Sequence, residues 1–290
     1  MAKTPRLGII ANPKKQGASA LLKDLTERFT REDIDFVLEA KTAEILGDGV
    51  GISSIEEFAD ACDLMIVLGG DGTILWMLRH LGQKIKPIAA INTGTLGFMT
   101  CATSEESEQL VRSIKENTLQ VTNRTVIKTE VRTAKAFLSN HVALNEVTLG
   151  RSNNSRVVHV EATVDGLFAN RYTGDGVIVA TPTGSTAYSL SAGGPIVFPG
   201  ADVFILTPIC PHALANRPLV LGADSKIELR VPEQRDDLSM MVDGEQVEEI
   251  CDETFITIQR APFYLPLVSL PGQNFYGVLH QKLGWTGSNL

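Results

Sequence analysis

The sequence is short of cysteine, of basic charge and of long apolar runs. Its four cysteines (Cys62, Cys101, Cys210 and Cys251) stand far apart without a CxxC pair, a spacing that favours reduced thiols over a disulfide framework or a zinc site. Lysine and arginine number 26 against 34 acidic residues, a net charge of −8, which argues against a general nucleic-acid surface. No apolar stretch approaches the roughly 20 residues of a membrane helix, and the N-terminus shows no signal-peptide core. We therefore expect a cytoplasmic protein that binds neither nucleic acid nor membrane.

The order of the segments predicts two domains, for which 290 residues suffice. Strand-like and helix-like segments alternate over residues 1–120, which indicates an α/β domain with a mostly parallel sheet. Residues 121–290 instead carry short strand-like runs, and the turn candidates Asp165-Gly166 and Asp243-Gly244 indicate hairpins. This part is predicted to be a β-rich, sandwich-like domain, with its extreme C-terminus packing back on the first domain.

A glycine-rich turn is the first candidate for chemistry. The apolar strand Leu64–Leu68 leads into Gly69-Gly70-Asp71-Gly72-Thr73, and a helix predicted over 73–81 follows. Ligands of open α/β sheets bind at the carboxyl edge of the strands, where this turn places Asp71. The turn is neither a Walker A loop nor a complete GxGxxG fingerprint, and helix capping is the alternative role for Asp71.

Three further segments contain side chains suited to a nucleotide. Residues 92–98 (NTGTLGF) follow the strand predicted at 87–91 and reach the same sheet edge. Asn145 and Glu146 interrupt an apolar strand predicted over 143–149; they either face solvent or read hydroxyls and amides of a nucleoside. Residues 181–195 (TPTGSTAYSLSAGGP) are either an N-capped turn or a helix N-terminus that binds phosphate, and Tyr188 could stack on a base.

Together these segments resemble the NAD kinase family, whose members make NADP with ATP or polyphosphate. The matching motifs are GGDGT (69–73), NTGTLGF (92–98), NEV (145–147), GDG (174–176), the 181–195 block, PH (211–212) and NRPL (216–219). GGDGT alone is shared with lipid kinases and relatives of phosphofructokinases, whereas the 181–195 block together with NEV is specific. The resemblance covers most of the chain and implies an enzyme that assembles as a homodimer or homotetramer.

The resemblance also implies the reaction and its residues. The γ-phosphoryl group of ATP, or a phosphoryl group of polyphosphate, would pass to the 2′-hydroxyl of the adenosine ribose of NAD with Mg²⁺ or another divalent cation. Asp71 would be the catalytic base, and no residue is assigned as a metal ligand. The donor phosphates would contact Gly69, Gly70, Gly72 and Thr73. NAD would be bound by Asp71, Gly72, Asn145, Glu146, Arg156, Thr173, Asp175, Thr186, Ala187, Tyr188, Ser189, Leu190, Ser191 and Gln246.

The sequence departs from the family pattern at Thr173, where many members carry a basic residue. A threonine there can bind the dinucleotide by a hydrogen bond but does not screen its phosphates, which bears on the choice between NAD and NADH. Glu245 is an alternative to Gln246. Two other functions stay open from the residues themselves: a kinase of lipid or sugar hydroxyls, and a noncatalytic regulator that binds NAD(H) or NADP(H).

Overall fold

The computed structural model describes residues 4–47, 50–94, 96–151, 157–232, 238–250 and 254–284. The chain divides into two compact units, one formed by Met1–Asn123 with Leu265–Leu290 and the other by Arg124–Tyr264. Within the described residues, no helix is long and apolar enough to span a membrane.

The secondary structure comprises both strands and helices, in the following order along the chain. The strands are β1 (Leu7–Ala11), β2 (Phe36–Leu38), β3 (Leu64–Leu68), β4 (Ile88–Asn92), β5 (Ala102–Thr103), β6 (Gln120–Thr133), β7 (Phe137–Ala143), β8 (Glu146–Arg151), β9 (Val158–Val164), β10 (Leu167–Gly174), β11 (Gly176–Ala180), β12 (Val203–Ile209), β13 (Leu219–Gly222), β14 (Ile227–Arg230), β15 (Leu238–Val242), β16 (Glu245–Ile250) and β17 (Thr254–Ser269). The helices are α1 (Ala18–Arg31), α2 (Ala40–Leu46), α3 (Ile55–Asp60), α4 (Asp71–Leu81), α5 (Ser107–Glu116), α6 (Tyr188–Ser191) and α7 (Phe275–Leu283), with 3-10 turns at Gly82–Lys84, Ser104–Glu106 and Gly184–Thr186.

The first unit contains the predicted parallel sheet, in the order β4-β3-β1-β2. The end of β17 joins it beside β4 through the parallel pair of Leu267 with Ile88. Every residue of β1 and of β3 is buried, as expected for parallel strands that helices cover on both faces. The apolar side of α1, which includes Leu22 and Phe29, packs into the same core.

The helices of this unit differ in part from the sequence-based prediction. Helix α4 begins at Asp71, two residues before the predicted start, because Gly72 already lies in its first turn while Gly70 is its extended N-cap. A 3-10 turn at Ser104–Glu106 leads directly into α5. Helix α2 was not predicted, since it has only seven residues and its N-cap is Glu39 rather than a short polar residue.

The second unit is antiparallel and β-rich, as predicted. One sheet has the order β13-β12-β11-β8-β15-β16. The strands β10-β9-β14 and the first part of β17 form further antiparallel pairs, and β6 pairs with both β7 and β17. A single apolar cluster contains side chains from both sets of strands, for example Val147 and Leu206 together with Val160 and Ile256. This shared core makes the unit sandwich-like.

The two predicted Asp-Gly turns are confirmed. Asp165 and Gly166 have φ angles of 51° and 80°, and Asp243 and Gly244 have 48° and 81°. Both residues of a type I′ turn need positive φ, and these turns join β9 to β10 and β15 to β16. The strand predicted over 143–149 is interrupted: β7 ends at 143 and β8 begins at 146, so two residues lie between the strands.

Candidate active site

Asp71 lies at the first position of α4, directly after the buried strand β3. Its carboxylate accepts hydrogen bonds from the backbone N–H groups of Phe98 (3.3 Å) and Met99 (3.2 Å). These two residues belong to the loop that follows β4, the neighbour of β3 in the parallel sheet. The two loops predicted to share a sheet edge therefore meet at this carboxylate.

Gly97 is the residue that lets the loop after β4 close around Asp71. A Cβ atom at this position would collide with the Asp71 carboxylate, so any larger residue would push the loop away. The Gly97 N–H donates to the Thr100 hydroxyl at 2.6 Å, which tightens the turn. The predicted NTGTLGF segment therefore holds Asp71 with its backbone.

Burial raises the pKa of the Asp71 carboxyl above its usual value. The N–H groups of Met99 and Phe98 and the charge of Lys282 oppose this effect. A carboxylate whose pKa is raised is a stronger proton acceptor than an exposed aspartate. Gly70, the N-cap residue of α4, offers no capping side chain, and its carbonyl accepts a hydrogen bond from the Thr73 N–H at 2.9 Å.

Asp243 organises the Asn145-Glu146 segment in the second unit. Its carboxylate accepts hydrogen bonds from three consecutive N–H groups, those of Leu144 (2.9 Å), Asn145 (2.7 Å) and Glu146 (3.1 Å). This contact explains the break between β7 and β8, since these N–H groups bond to a side chain where a strand ladder would use backbone carbonyls. Asp243 was predicted only as a turn residue, because about a hundred residues separate it from its hydrogen-bond partners.

Glu146 is a buried acid with one unsatisfied oxygen. Its side chain is almost fully buried, its Oε2 atom has no hydrogen-bond partner among the described residues, and the Tyr188 N–H donates to its carboxyl group. Burial, followed by the charge of Asp243, raises the pKa of Glu146 to about 8, although the Tyr188 N–H opposes the shift. At neutral pH the Glu146 carboxyl is therefore mainly protonated and can donate a hydrogen bond.

The 181–195 block packs directly on Asn145. The Thr181 N–H donates to the Asn145 carbonyl at 2.8 Å, and the Thr181 hydroxyl donates to the Leu144 carbonyl at 2.5 Å. A Cβ atom on Gly184 would collide with the backbone of Asn145, so only glycine permits this approach. Two of the motifs that carried the family resemblance are thus one structural unit.

Side chains of the block point in different directions. Tyr188 is 45% exposed, which leaves its ring open to stack on a base. Ser189 is fully buried, and its hydroxyl bonds to that of Thr207 at 3.0 Å, so this side chain holds α6 on β12. The Thr186 hydroxyl donates to the Thr183 carbonyl. Ala187 is the N-cap residue of α6, and Leu190 and Ser191 lie within this short helix.

Thr173 and Asp175 flank a glycine that touches neighbouring backbone. The Thr173 hydroxyl lies 3.0 Å from His159 Nδ1 on the paired strand. The Asp175 carboxylate forms an ion pair with Arg151 at 3.3 Å. A Cβ atom on Gly174 would lie 2.7 Å from the Ile209 carbonyl oxygen. A histidine thus stands beside the threonine that replaces the family's basic residue.

Gln246, with its alternative Glu245, and Arg156 are the remaining predicted NAD-binding residues. Gln246 and Glu245 are both exposed on β16. Arg156 lies outside the described residues. Among the described His, Cys, Asp and Glu side chains, no group of three or more could hold a metal ion.

Glu146→Gln should change how stability depends on pH. Because the pKa of Glu146 is raised by folding, the folded chain binds an extra proton from about pH 4.5 to about 8, and stability falls as pH rises through that window. A glutamine is neutral at every pH, so the stability of the variant relative to the native chain should grow by roughly 1–3 kcal/mol from pH 6 to pH 9. Denaturant unfolding at a series of pH values measures this difference.

The exposed Glu249 on β16 provides the matched control. Glu249→Gln should leave the pH profile of stability unchanged. If Glu146→Gln and Glu249→Gln gave the same profile, the Glu146 carboxyl would be ionised at neutral pH in the native chain.

Comparisons with known proteins match this chain to NAD kinases over almost its whole length. Residues 7–119 match the model of the ATP-NAD kinase N-terminal domain, and residues 144–270 match that of the ATP-NAD kinase C-terminal domain. The NAD kinase of Chloroherpeton thalassium is 35% identical over 280 residues, which cover 97% of this chain and 98% of that protein. The NAD kinase of Nitrosomonas europaea is 36% identical over 282 residues, covering 97% and 95%.

Two solved structures are similar in fold. Yeast NADH kinase complexed with NADH superposes with a TM-score of 0.89 at 25% identity, covering 98% of this chain and 88% of that one. An NAD kinase from Archaeoglobus fulgidus in complex with ATP superposes with a TM-score of 0.73 at 28% identity, covering 97% and 100%.

Proposed function

The chain belongs to the NAD kinase family, and on that premise we propose that it transfers the γ-phosphoryl group of ATP to the 2′-hydroxyl of the adenosine ribose of NAD. The bond between the γ-phosphorus and the bridging oxygen of ATP breaks, and the products are NADP and ADP. The observation that carries this proposal is the half-buried Asp71 carboxylate, held by two backbone N–H groups at the carboxyl edge of a parallel sheet.

Asp71 acts as the general base. A ribose hydroxyl is a poor nucleophile at neutral pH, and a base within hydrogen-bond reach removes its proton as the new P–O bond forms. The bonds from Phe98 and Met99 fix the direction of the carboxylate, so the base is oriented before the substrate arrives. Gly72 follows at the same turn and contacts the NAD ribose.

The Asn145-Glu146 segment and the 181–195 block supply the contacts that recognise the dinucleotide. Asn145 presents an amide, and Glu146, mainly protonated, presents a donor; both can bind the hydroxyl and amide groups of a nucleoside. Asp175 accepts from ribose hydroxyls, and Tyr188 stacks on a base. Thr186, Ala187, Ser189, Leu190 and Ser191 shape that pocket, with Thr173, Gln246 and Arg156 as further polar contacts.

The donor phosphates lie against the backbone of Gly69, Gly70, Gly72 and Thr73. When bound together with the donor, Mg²⁺ or another divalent cation would supply positive charge at the phosphates. No residue is assigned as a ligand of this ion, which in kinase sites is held largely by substrate phosphates and water with only one or two carboxylates. Polyphosphate offers the same anionic chain and is an alternative donor.

The proposal also covers the cell compartment and the oligomeric state of the enzyme. The scattered cysteines, of which Cys62 and Cys101 are buried and unpaired, suit a reducing cytoplasm. The resemblance supports a homodimer or homotetramer, which light scattering on the purified protein would distinguish from a monomer.

The test is a direct assay for NADP. Purified protein is mixed with NAD, ATP and Mg²⁺, and NADP is detected with an NADP-specific dehydrogenase; parallel reactions contain polyphosphate as donor or NADH as acceptor. NADP formation is expected with NAD and ATP. If neither donor yields NADP or NADPH, while NAD binds, the chain is a noncatalytic dinucleotide-binding protein. Transfer to a lipid or sugar but not to NAD would also contradict the proposal.

A further inference from the structure

The glycine turn lacks the positive charge that a phosphate donor requires. A nucleoside triphosphate or polyphosphate chain carries several negative charges, and Asp71 adds another beside it. Residues 69–73 contain no lysine or arginine. Backbone N–H groups offset part of this charge, but kinases and related enzymes also place a cation on the phosphate chain. A cation near this turn has to come from another segment.

The loop after β1 reaches the glycine turn. Strands β1 and β3 are parallel neighbours, with Ala11 opposite Leu68 at their carboxyl ends. The Asn12 N–H donates to the Leu68 carbonyl at 3.0 Å, which ties the loop to the end of β3. The Lys15 N–H then donates to the Asn12 carbonyl at 3.1 Å. The backbone of Lys15 is therefore fixed at the same sheet edge as Asp71.

The ammonium group of Lys15 points at Gly70. A Cβ atom built on Gly70 would lie 4.0 Å from Lys15 Nζ and 3.8 Å from Asn92 Nδ2, and apart from its two chain neighbours no other described residue would place an atom within 4 Å. The space above Gly70 is thus bordered by one cation and one amide. A phosphate that rests on the Gly70 backbone would meet both.

Lys15 has no acidic partner among the described residues, a property that it shares with Lys14 but not with several other cations of the first unit. Arg6, Arg28, Lys84 and Lys115 each pair with a carboxylate. Lys15 forms no ion pair or side-chain hydrogen bond within the ranges that the structure describes. An ammonium group that is already held at the turn and is not neutralised can bind an anion without first breaking an ion pair.

We propose that Lys15 binds the phosphate chain of the donor above Gly70. The assignment rests on the proposed kinase function and adds a residue that the sequence motifs did not indicate. The only sequence signal was a pair of lysines, Lys14 and Lys15, immediately after a strand whose end reaches the ligand-binding edge.

The test compares Lys15→Ala with Lys14→Ala. The two lysines are adjacent in one exposed loop and carry equal charge, but no atom of Lys14 lies within 4 Å of the Cβ position of Gly70. Lys15→Ala should raise the KM for ATP about tenfold to a hundredfold, the range for a lost hydrogen bond to a charged group. The KM for NAD should change less than twofold, and Lys15→Arg should recover part of the ATP affinity.

Calorimetric titration of ATP in the absence of NAD gives a second readout that needs no turnover. Lys15→Ala should weaken ATP binding and reduce its dependence on salt, while Lys14→Ala should leave binding as in the native chain. Equal effects of the two substitutions would reduce Lys15 to general surface charge and overturn the assignment. A native protein that makes no NADP would instead refute the proposed function, so the two failures are distinguishable.

Discussion

Asp71→Asn is expected to lower kcat about 10²–10⁴-fold, the usual contribution of a general base. Asparagine has nearly the same size, and its amide oxygen can still accept one of the N–H bonds from Phe98 and Met99. The loop after β4 should therefore keep its place, and the KM for NAD should change only a few-fold. Steady-state kinetics with NAD and ATP measure both quantities, and calorimetry measures NAD affinity separately.

Two controls distinguish a lost base from other causes. The melting temperature of Asp71→Asn should stay close to that of the native chain, which would exclude unfolding. Raising the Mg²⁺ concentration should not restore turnover, whereas it would do so in part if the main role of Asp71 were to hold the metal. Turnover within tenfold of the native value would remove Asp71 from the role of base.

The direction of the pKa shift of Asp71 gives the matching pH profile. The base must be ionised to accept a proton, so kcat falls as pH drops through the pKa of Asp71. Because burial raises that pKa above the ordinary value of 3.8, the acidic limb of the profile should lie at higher pH than an exposed aspartate would give. The residual activity of Asp71→Asn should lack this limb.

The glycine turn and the two hairpins could be predicted from the sequence, because each is determined by a few consecutive residues. A run of five apolar residues followed by a glycine turn predicted β3 and the position of Asp71 at its end. The Asp-Gly pairs predicted two hairpins, since few other residues adopt positive φ at both turn positions. Chain order along the parallel sheet also predicted that the loops after β3 and β4 would meet.

The contacts between distant segments could not be predicted in the same way. Asp243 was identified only as a turn residue, although its carboxylate binds a segment about a hundred residues earlier. Lys15 reads from the sequence as part of an ordinary polar turn, and its position above Gly70 depends on the pairing of β1 with β3. These roles are set by tertiary structure, for which the spacing of residues along the chain gives no direct sign.

Asp243→Asn should destabilise the second unit and weaken NAD binding. Asparagine also tolerates positive φ, so the turn to Gly244 is kept. The amide has one acceptor oxygen, however, so its NH₂ group must face at least one of the three N–H donors of residues 144–146. With hydrogen bonds to charged groups contributing about 1.5–3 kcal/mol each, the variant should lose roughly 2–4 kcal/mol.

The same substitution should lower the pKa of Glu146. The negative charge of Asp243 is the second cause that raises this pKa, and asparagine removes it. More of the Glu146 carboxyl is then ionised at pH 7, and a group proposed to donate a hydrogen bond to NAD is lost. The KM for NAD should rise at least about tenfold, and the optimum for NAD binding should move to lower pH. Thermal unfolding and calorimetric titration of NAD at several pH values measure these effects.

Asp165→Asn is the matched control, because Asp165 occupies the equivalent position of the other Asp-Gly turn. Its carboxylate accepts one N–H bond, from Lys226 at 2.8 Å, and asparagine can accept that bond as well. This variant should keep the native KM for NAD and most of the native stability.

If Asp165→Asn and Asp243→Asn behaved alike, the effect would belong to the turn rather than to the three N–H groups. If Asp243→Asn lost stability but kept its affinity for NAD, the Asn145-Glu146 segment would be structural, and the contacts proposed for it would be wrong.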